Sequence, residues 1–337
     1  MKQLARRGAL QTVVGLASAA AVGTAAGRLG SAASTTALDV VPRTSDALVY
    51  ADTDTLRRDD GLRTLTTAAL QQHAQYTAGE DAGRPRDVDE LLSDLEADFE
   101  RDPETVHRAT IFGDVGSEEL FSGYAGVVFA AELRAEDVKS GIENMDDVEF
   151  TELRASGTVV YEPDAEDGPW VGALGSDRVV VGTEAAVADV VDVANGETPA
   201  IGEPVRGAYE DSREAPVRFA SRLPDPTDNE GVPARLDRSG RGSVDLTPLD
   251  HATTLAGAVY RDGDVRGLET TLDAADDAAA SDVASVVREL REYTQSELRD
   301  DAVADIVGDI TVERDGATVT TSVSRTVSEL ASLVERK

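Results

Sequence analysis

Residues 170–196 read WVGALGSDRVVVGTEAAVADVVDVANG. Small and β-branched residues at 170–174 and 178–182 flank Gly175-Ser176, the pattern of two strands joined by a tight turn. From Glu184 the period changes. Val187, Val190, Val191 and Ala194 fall on one side of a helix, and Asn195-Gly196 supplies the left-handed residue that ends it. A strand pair that runs straight into an amphipathic helix buries one sheet face locally, so the stretch predicts an α+β fold rather than alternating parallel units.

A similar unit closes the chain. Ile310–Glu313 and Thr318–Val323 flank Asp315-Gly316, and Thr326 with Glu329 forms a capping box for a helix carrying Val327, Leu330 and Val334 inward. Ahead of it, Thr253–Tyr260 and Val265–Leu272 surround Asp262-Gly263, and one long helix is predicted from 276 to about 305. Residues 106–195 give the same order once one hairpin, 148–161 around Ser156-Gly157, is set aside as an insertion. The element order therefore predicts mainly antiparallel sheets with helices on one face and an internal duplication of a ββαββα-like unit.

Elsewhere, 45–51 reads as a strand, and Asp59 or Asp60 caps a helix bearing Leu62, Leu65, Ala69 and Tyr76. After a loop at 79–86, Asp87 caps a second helix with Val88, Leu91, Leu92, Leu95 and Phe99 inward. Short helices are predicted at 135–144 and 204–212, and a strand at 216–222. Residues 223–248 hold four prolines and three glycines and little periodicity. They divide a first α+β domain at 34–222 from a smaller unit at 249–337.

Charge sets the solvent. The chain has 32 basic and 65 acidic residues, a net −33, and only three lysines, Lys2, Lys139 and Lys337. Residues 1–33 contain four basic residues and no acid, so the rest carries 28 basic against 65 acidic. That charge opposes compaction in dilute buffer and is screened at molar salt, where the Debye length is about 3 Å. The carboxylates run from Asp39 to Glu335 rather than forming a tail, and 41% of residues are hydrophobic, which predicts a folded halophilic protein. Nucleic acid is excluded as a partner, because no basic stripe exists to displace phosphate counterions. With no cysteine, disulfides and zinc-thiolate sites are excluded as well.

Residues 1–33 read as an export signal. Arg6-Arg7 precede an uncharged run, Gly8 to Gly27, and then Ser31-Ala32-Ala33. The paired arginines, with an Ala-, Gly- and Thr-rich run behind them, resemble a twin-arginine signal. Retained instead of cleaved, the same 20 residues would be an anchor, the one membrane contact the sequence predicts.

The sharpest chemical motif is Leu48-Val49-Tyr50-Ala51-Asp52-Thr53-Asp54-Thr55-Leu56. A strand running into Asp-x-Asp-x-Thr resembles the nucleophile motif of haloacid-dehalogenase-type phosphatases. That resemblance implies attack on phosphorus by Asp52, acid–base work by Asp54 and a Mg²⁺ ion. It also implies a parallel doubly wound sheet, whereas the chain after Asp54 reads as antiparallel hairpins. The bland alternative is that both acids close the strand and solvate its turn. The three histidines, His73, His107 and His251, share no metal-ligand spacing, and no Gly-x-Ser-x-Gly marks a nucleophile. The acidic runs 164–167 and 225–230 lack the Gly and closing Glu of an EF-hand loop. No metal or cofactor is expected.

The mature chain also resembles a set of exported haloarchaeal proteins of unknown function, through Val41-Pro42 to Asp52, the 170–182 hairpin with Thr183-Glu184-Ala185, and Val217-Arg218-Phe219-Ala220. That resemblance implies no activity. The sequence thus favours a non-enzymatic, exported binding protein acting on an extracellular or cell-surface partner. Two alternatives stand beside it: a secreted metal-dependent phosphohydrolase using Asp52 and Asp54, and a carrier of an apolar ligand.

Overall fold

In the computed structural model the stretch at 170–196 forms β6 (Trp170–Ala173), β7 (Arg178–Gly182) and α3 (Glu184–Ala194). The structure describes residues 38–65, 67, 105–114, 123–131, 135–143, 149–165, 168–175, 177–223, 235–238, 242–298 and 301–335. The export segment with Arg6 and Arg7, the predicted helix at 87–99, His73 and the acidic run 225–230 lie outside these residues. Helix α3 buries Ala186, Val187, Val190, Val191 and Val193, so Val193 takes the inward position expected of Ala194. Gly172 brings the helix close. A Cβ there would lie 2.8 Å from Val180 Cγ1 and 3.3 Å from Val187 Cγ1.

The other strands are β1 (Ala47–Asp52), β2 (Val106–Gly113), β3 (Ala125–Ala131), β4 (Phe150–Ala155), β5 (Thr158–Pro163), β8 (Val217–Arg222), β9 (Arg235–Arg238), β10 (Gly242–Asp245), β11 (Ala252–Asp262), β12 (Val265–Ala274), β13 (Thr311–Asp315) and β14 (Thr318–Thr326). Among the described residues the helices besides α3 include α1 (Thr53–Arg57), α2 (Ala135–Glu143), α4 (Val205–Asp211), α5 (Asp277–Glu297), α6 (Asp301–Gly308) and α7 (Val327–Glu335), and residues 60–65 are helical as well. Twelve strands form one sheet in the order β13-β14-β12-β11-β8-β1-β2-β3-β7-β6-β5-β4. Every neighbouring pair is antiparallel. The fold is α+β.

The two halves wind alike. Strands β2, β3, β6 and β7 lie in the order 2-3-7-6, and β11, β12, β13 and β14 in the order 11-12-14-13. The β4–β5 hairpin extends the first half at its outer edge. Each half is preceded by one further strand, β1 or β8, and these two pair with each other from Ala47↔Ser221 to Ala51↔Val217. Strand β8 in turn pairs with β11 from Thr254↔Arg222 to Val259↔Val217, so the sheet is continuous across the Pro- and Gly-rich stretch. Within that stretch β9 and β10 pair with each other, and Val244 and Leu246 are buried against Val286 of α5.

The largest core cluster lies where α3 and α4 cover the sheet, joining Val187, Val190, Val191 and Tyr209 to Leu48, Tyr50, Phe112, Val128, Val180, Ala220 and Ala256. Strand residues of opposite parity, Tyr161, Val171 and Val179, meet Val138 and Ile142 of α2. In the second half Leu272 and Val319 pack on Ala280, Val283 and Ala284 of α5. Helices thus lie on both faces of the sheet rather than one. The segment before β1 is also fixed. Leu38, Val40 and Val41 are buried, Ile201 N–H donates to Val41 O (2.7 Å), and Thr44 Oγ1 and Tyr124 OH both donate to Asp189 Oδ2 (2.9 and 2.8 Å).

Turn chemistry differs from expectation in two places. Asp262 pairs with Val265 and Asp315 with Thr318, so the loops are Gly263-Asp264 and Gly316-Ala317, each one residue later than expected. Gly263 (φ +57°) and Gly316 (φ +54°) take the first loop position, as a II′ turn requires, and the aspartates close the strands. Ser156 (φ +48°) and Gly157 (φ +86°) form the expected turn, both with positive φ. The long helix is broken as well. Helix α5 ends where Leu298 turns extended (ψ 132°), and Asp301 stands in the first turn of α6.

Candidate functional site

The Asp-x-Asp motif sits where β1 passes into α1. Asp52 is the N-cap of α1, its Oδ1 accepting from Thr55 N–H (2.9 Å) and its Oδ2 from Thr55 Oγ1–H (3.0 Å). Both carboxylate oxygens thus serve the first turn, an arrangement worth about 1 kcal/mol in a typical helix. Asp54 points to the neighbouring strand. Its Oδ1 accepts from Arg57 Nη2 (2.7 Å), and its Oδ2 lies 3.0 Å from His107 Nδ1 near the start of β2. Arg57 Nη2 also donates to Val106 O (2.9 Å), which Thr53 Oγ1 reaches at 2.5 Å. Four side chains therefore clamp the end of β1 to the beginning of β2.

The electrostatics match. Burial works to raise the Asp54 carboxyl, but the hydrogen bonds from Arg57 and His107 outweigh it, and the group is held below its usual 3.8. On β1 itself, burial and then the charge of Asp52 push the Tyr50 phenol up to about 12, so it stays neutral and packs with the core.

The surroundings of the motif differ from those that the phosphatase resemblance implies. Strand β1 is antiparallel to both neighbours, unlike the parallel sheet that the phosphatase resemblance implies. Lys139, the one internal lysine, lies on α2 with Nζ 3.1 Å from Glu152 Oε2 on β4, both about half exposed. Among the described residues no three His, Asp or Glu side chains are placed to hold a metal ion.

The other predicted candidates scatter. His251 ends the 3₁₀ turn Thr247–His251, with its carbonyl accepting from Ala275 N–H (3.1 Å). Asp164 closes the β4–β5 hairpin, its Oδ1 accepting from Glu149 N–H (3.1 Å). Trp170 packs half-buried against the main core. An open pocket of about 480 Å³ is lined by Val265, Asp305, Asp309, Ser324, Arg325, Thr326 and Glu329, none of them a site candidate from the sequence. There Arg325 pairs with Asp309, and Glu329 is taken up by the capping box, accepting from Thr326 N–H (2.8 Å).

Two buried clusters went unforeseen. Asp59, fully buried, accepts from Arg266 Nη2 (2.5 Å) and from Leu62 N–H (3.0 Å), with Arg261 Nη1 3.5 Å from its second oxygen. Arg218, 4% exposed on β8, donates to Ser212 Oγ (3.1 Å), to Ser212 O (3.0 Å) and to Tyr209 O, and stacks 4.2 Å from the Tyr209 ring centre. Its charge faces the carbonyl end of α4, where a helix dipole is negative. Asp59 carried a sequence signal as a predicted cap, whereas Arg218 stood only within the Val217-Arg218-Phe219-Ala220 stretch, with nothing to mark it as buried.

No family model and no curated protein matches the chain. Among solved structures it is similar to crystal form III of TP0453 (TM-score 0.45, 10% identity, covering 88% of this chain and 96% of that one). Crystal form IV of TP0453 gives a TM-score of 0.46 at 10% identity, covering 88% of this chain and 95% of that one. Among the described residues no helix is long and apolar enough to cross a membrane.

Proposed function

We propose that this chain is an exported, non-enzymatic protein of a halophile that binds a partner at or outside the cell surface. The observation that carries the reading is the use made of Asp52 and Asp54. The two acids best placed for chemistry hold a helix start and a strand crossing instead. The signal-like residues 1–33 support export, and the spread of carboxylates supports a high-salt habitat. The like winding of the two halves supports an internal duplication that built one broad scaffold.

The test is p-nitrophenyl phosphate hydrolysis with Mg²⁺ in molar salt. Neither wild type nor Asp52→Asn is expected to exceed the buffer blank, while Asp52→Ala lowers stability by about 1 kcal/mol through the lost cap. Turnover by the wild type that Asp52→Asn removes would establish the phosphohydrolase instead.

A further inference from the structure

The two edges of the sheet are treated differently. Strand β13 is guarded by α5, whose Arg291 Nη1 donates to Ile310 O (2.8 Å) and Arg288 Nη2 to Val312 O (3.4 Å). Among the described residues strand β4 has β5 as its one neighbour, and Thr151, Glu152, Leu153 and Arg154 are all exposed. Leu153, at 39%, is the exposed large apolar side chain among the described residues.

Register decides what this edge offers. Ala155 and Thr158 close a two-residue turn and so form a hydrogen-bonded pair, and Asp164 N–H donates to Glu149 O at the far end. Odd-numbered residues of β4 therefore bond to β5. Phe150, Glu152 and Arg154 aim their N–H and C=O groups outward.

We propose that β4 is a self-complementary edge through which two copies of this chain pair antiparallel about a twofold axis at Leu153. In that register Glu152, whose Oε2 also meets Lys139 Nζ (3.1 Å), stands opposite Arg154 of the second copy, and Arg154 opposite its Glu152. Both are outward-bonding positions, so four backbone hydrogen bonds form. The two cross-strand pairs join opposite charges, the favourable case. Leu153 meets Leu153 of the second copy at the non-hydrogen-bonded position, where side chains come closest. Charged residues usually defend an edge. Here their alternation matches the strand to itself, and Arg154 makes no ion pair among the described residues. Edges of six residues bury little area, so the pairing is weak and concentration-dependent. It also needs molar salt to screen two copies of charge −33.

The absence of native cysteine gives a clean test in the full chain. In molar KCl with a mild oxidant, Leu153→Cys is expected to cross-link at least about tenfold faster than Thr151→Cys, whose copies lie about 13 Å apart in this register. In the Leu153→Cys background, Glu152→Arg or Arg154→Glu alone suppresses the cross-link, and both together restore it. Sedimentation of the unmodified chain shows its mass rising toward two copies with concentration. Equal rates for the two cysteines, failure of the double reversal to restore cross-linking, or a mass of one chain at every concentration would overturn the proposal.

Discussion

Asp59→Ala is expected to lower the melting temperature by roughly 6–20 °C, the largest effect of any single change considered. The side chain is fully buried, and its partner Arg266 is 5% exposed. Removing the acid strands a buried guanidinium whose Nη1 donates to Gly263 O (2.8 Å) and Val265 O (3.0 Å) and whose Nε has no hydrogen-bond partner among the described residues. It also removes the cap at Leu62 N–H. Breaking a buried pair on one side costs about 3–5 kcal/mol, whereas replacing both members by apolar groups is often neutral. The double variant Asp59→Leu with Arg266→Met should therefore recover most of the loss. Gly61 belongs to the same fit, because a Cβ there would lie 2.6 Å from Arg266 Nη2. Thermal melts followed by circular dichroism check this, and an Asp59→Ala melt within about 2 °C of wild type would show that the pair is not holding the hairpin tip.

Removal of salt is expected to have a comparable effect without any mutation. A net charge of −33 is spread along the chain from Asp39 to Glu335, and among the described residues several arginines meet acids at half-exposed positions, such as Arg206 with Asp39 and Glu210, or Arg222 with Asp46. Such pairs contribute little, of the order of 0–1 kcal/mol each, and do not offset the long-range repulsion. Dialysis from molar KCl into dilute buffer should collapse the far-ultraviolet ellipticity. An unchanged spectrum would contradict the halophilic reading.

Local signals in the sequence were read well because they act over a few residues. The Thr326–Glu329 capping box, the Ser156-Gly157 turn and the inward placing of Val187, Val190 and Val191 on α3 each depend on neighbours four positions away or fewer. The II′ loops were displaced by one residue because Asp-Gly suggests both as loop residues, whereas here the glycine alone leads the turn. The break at Leu298 escaped notice because neither Gly nor Pro marks it. The acids before Ala302 were the available sign of a second helix start. What could not be read were the long-range partners. His107 reaches Asp54 across 53 positions, and Arg266 reaches Asp59 across 207. The pairing of β8 with β1 on one side and β11 on the other, which makes the sheet continuous, leaves no pattern in any of these strands alone.

The central claim is that the Asp-x-Asp motif is a brace rather than a reaction centre, and its pH dependence tests this most directly. The folded-state pKa of Asp54 is depressed, so the stability it contributes is fully present above its unfolded value near 3.8 and is lost as pH falls through the lower folded value. The measurement is the unfolding free energy of wild type minus that of Asp54→Asn across pH in molar salt. A wild-type advantage of about 1 kcal/mol at neutral pH, shrinking toward zero below that range, is the predicted result. No advantage at neutral pH, together with phosphatase turnover lost in Asp54→Asn, would contradict it.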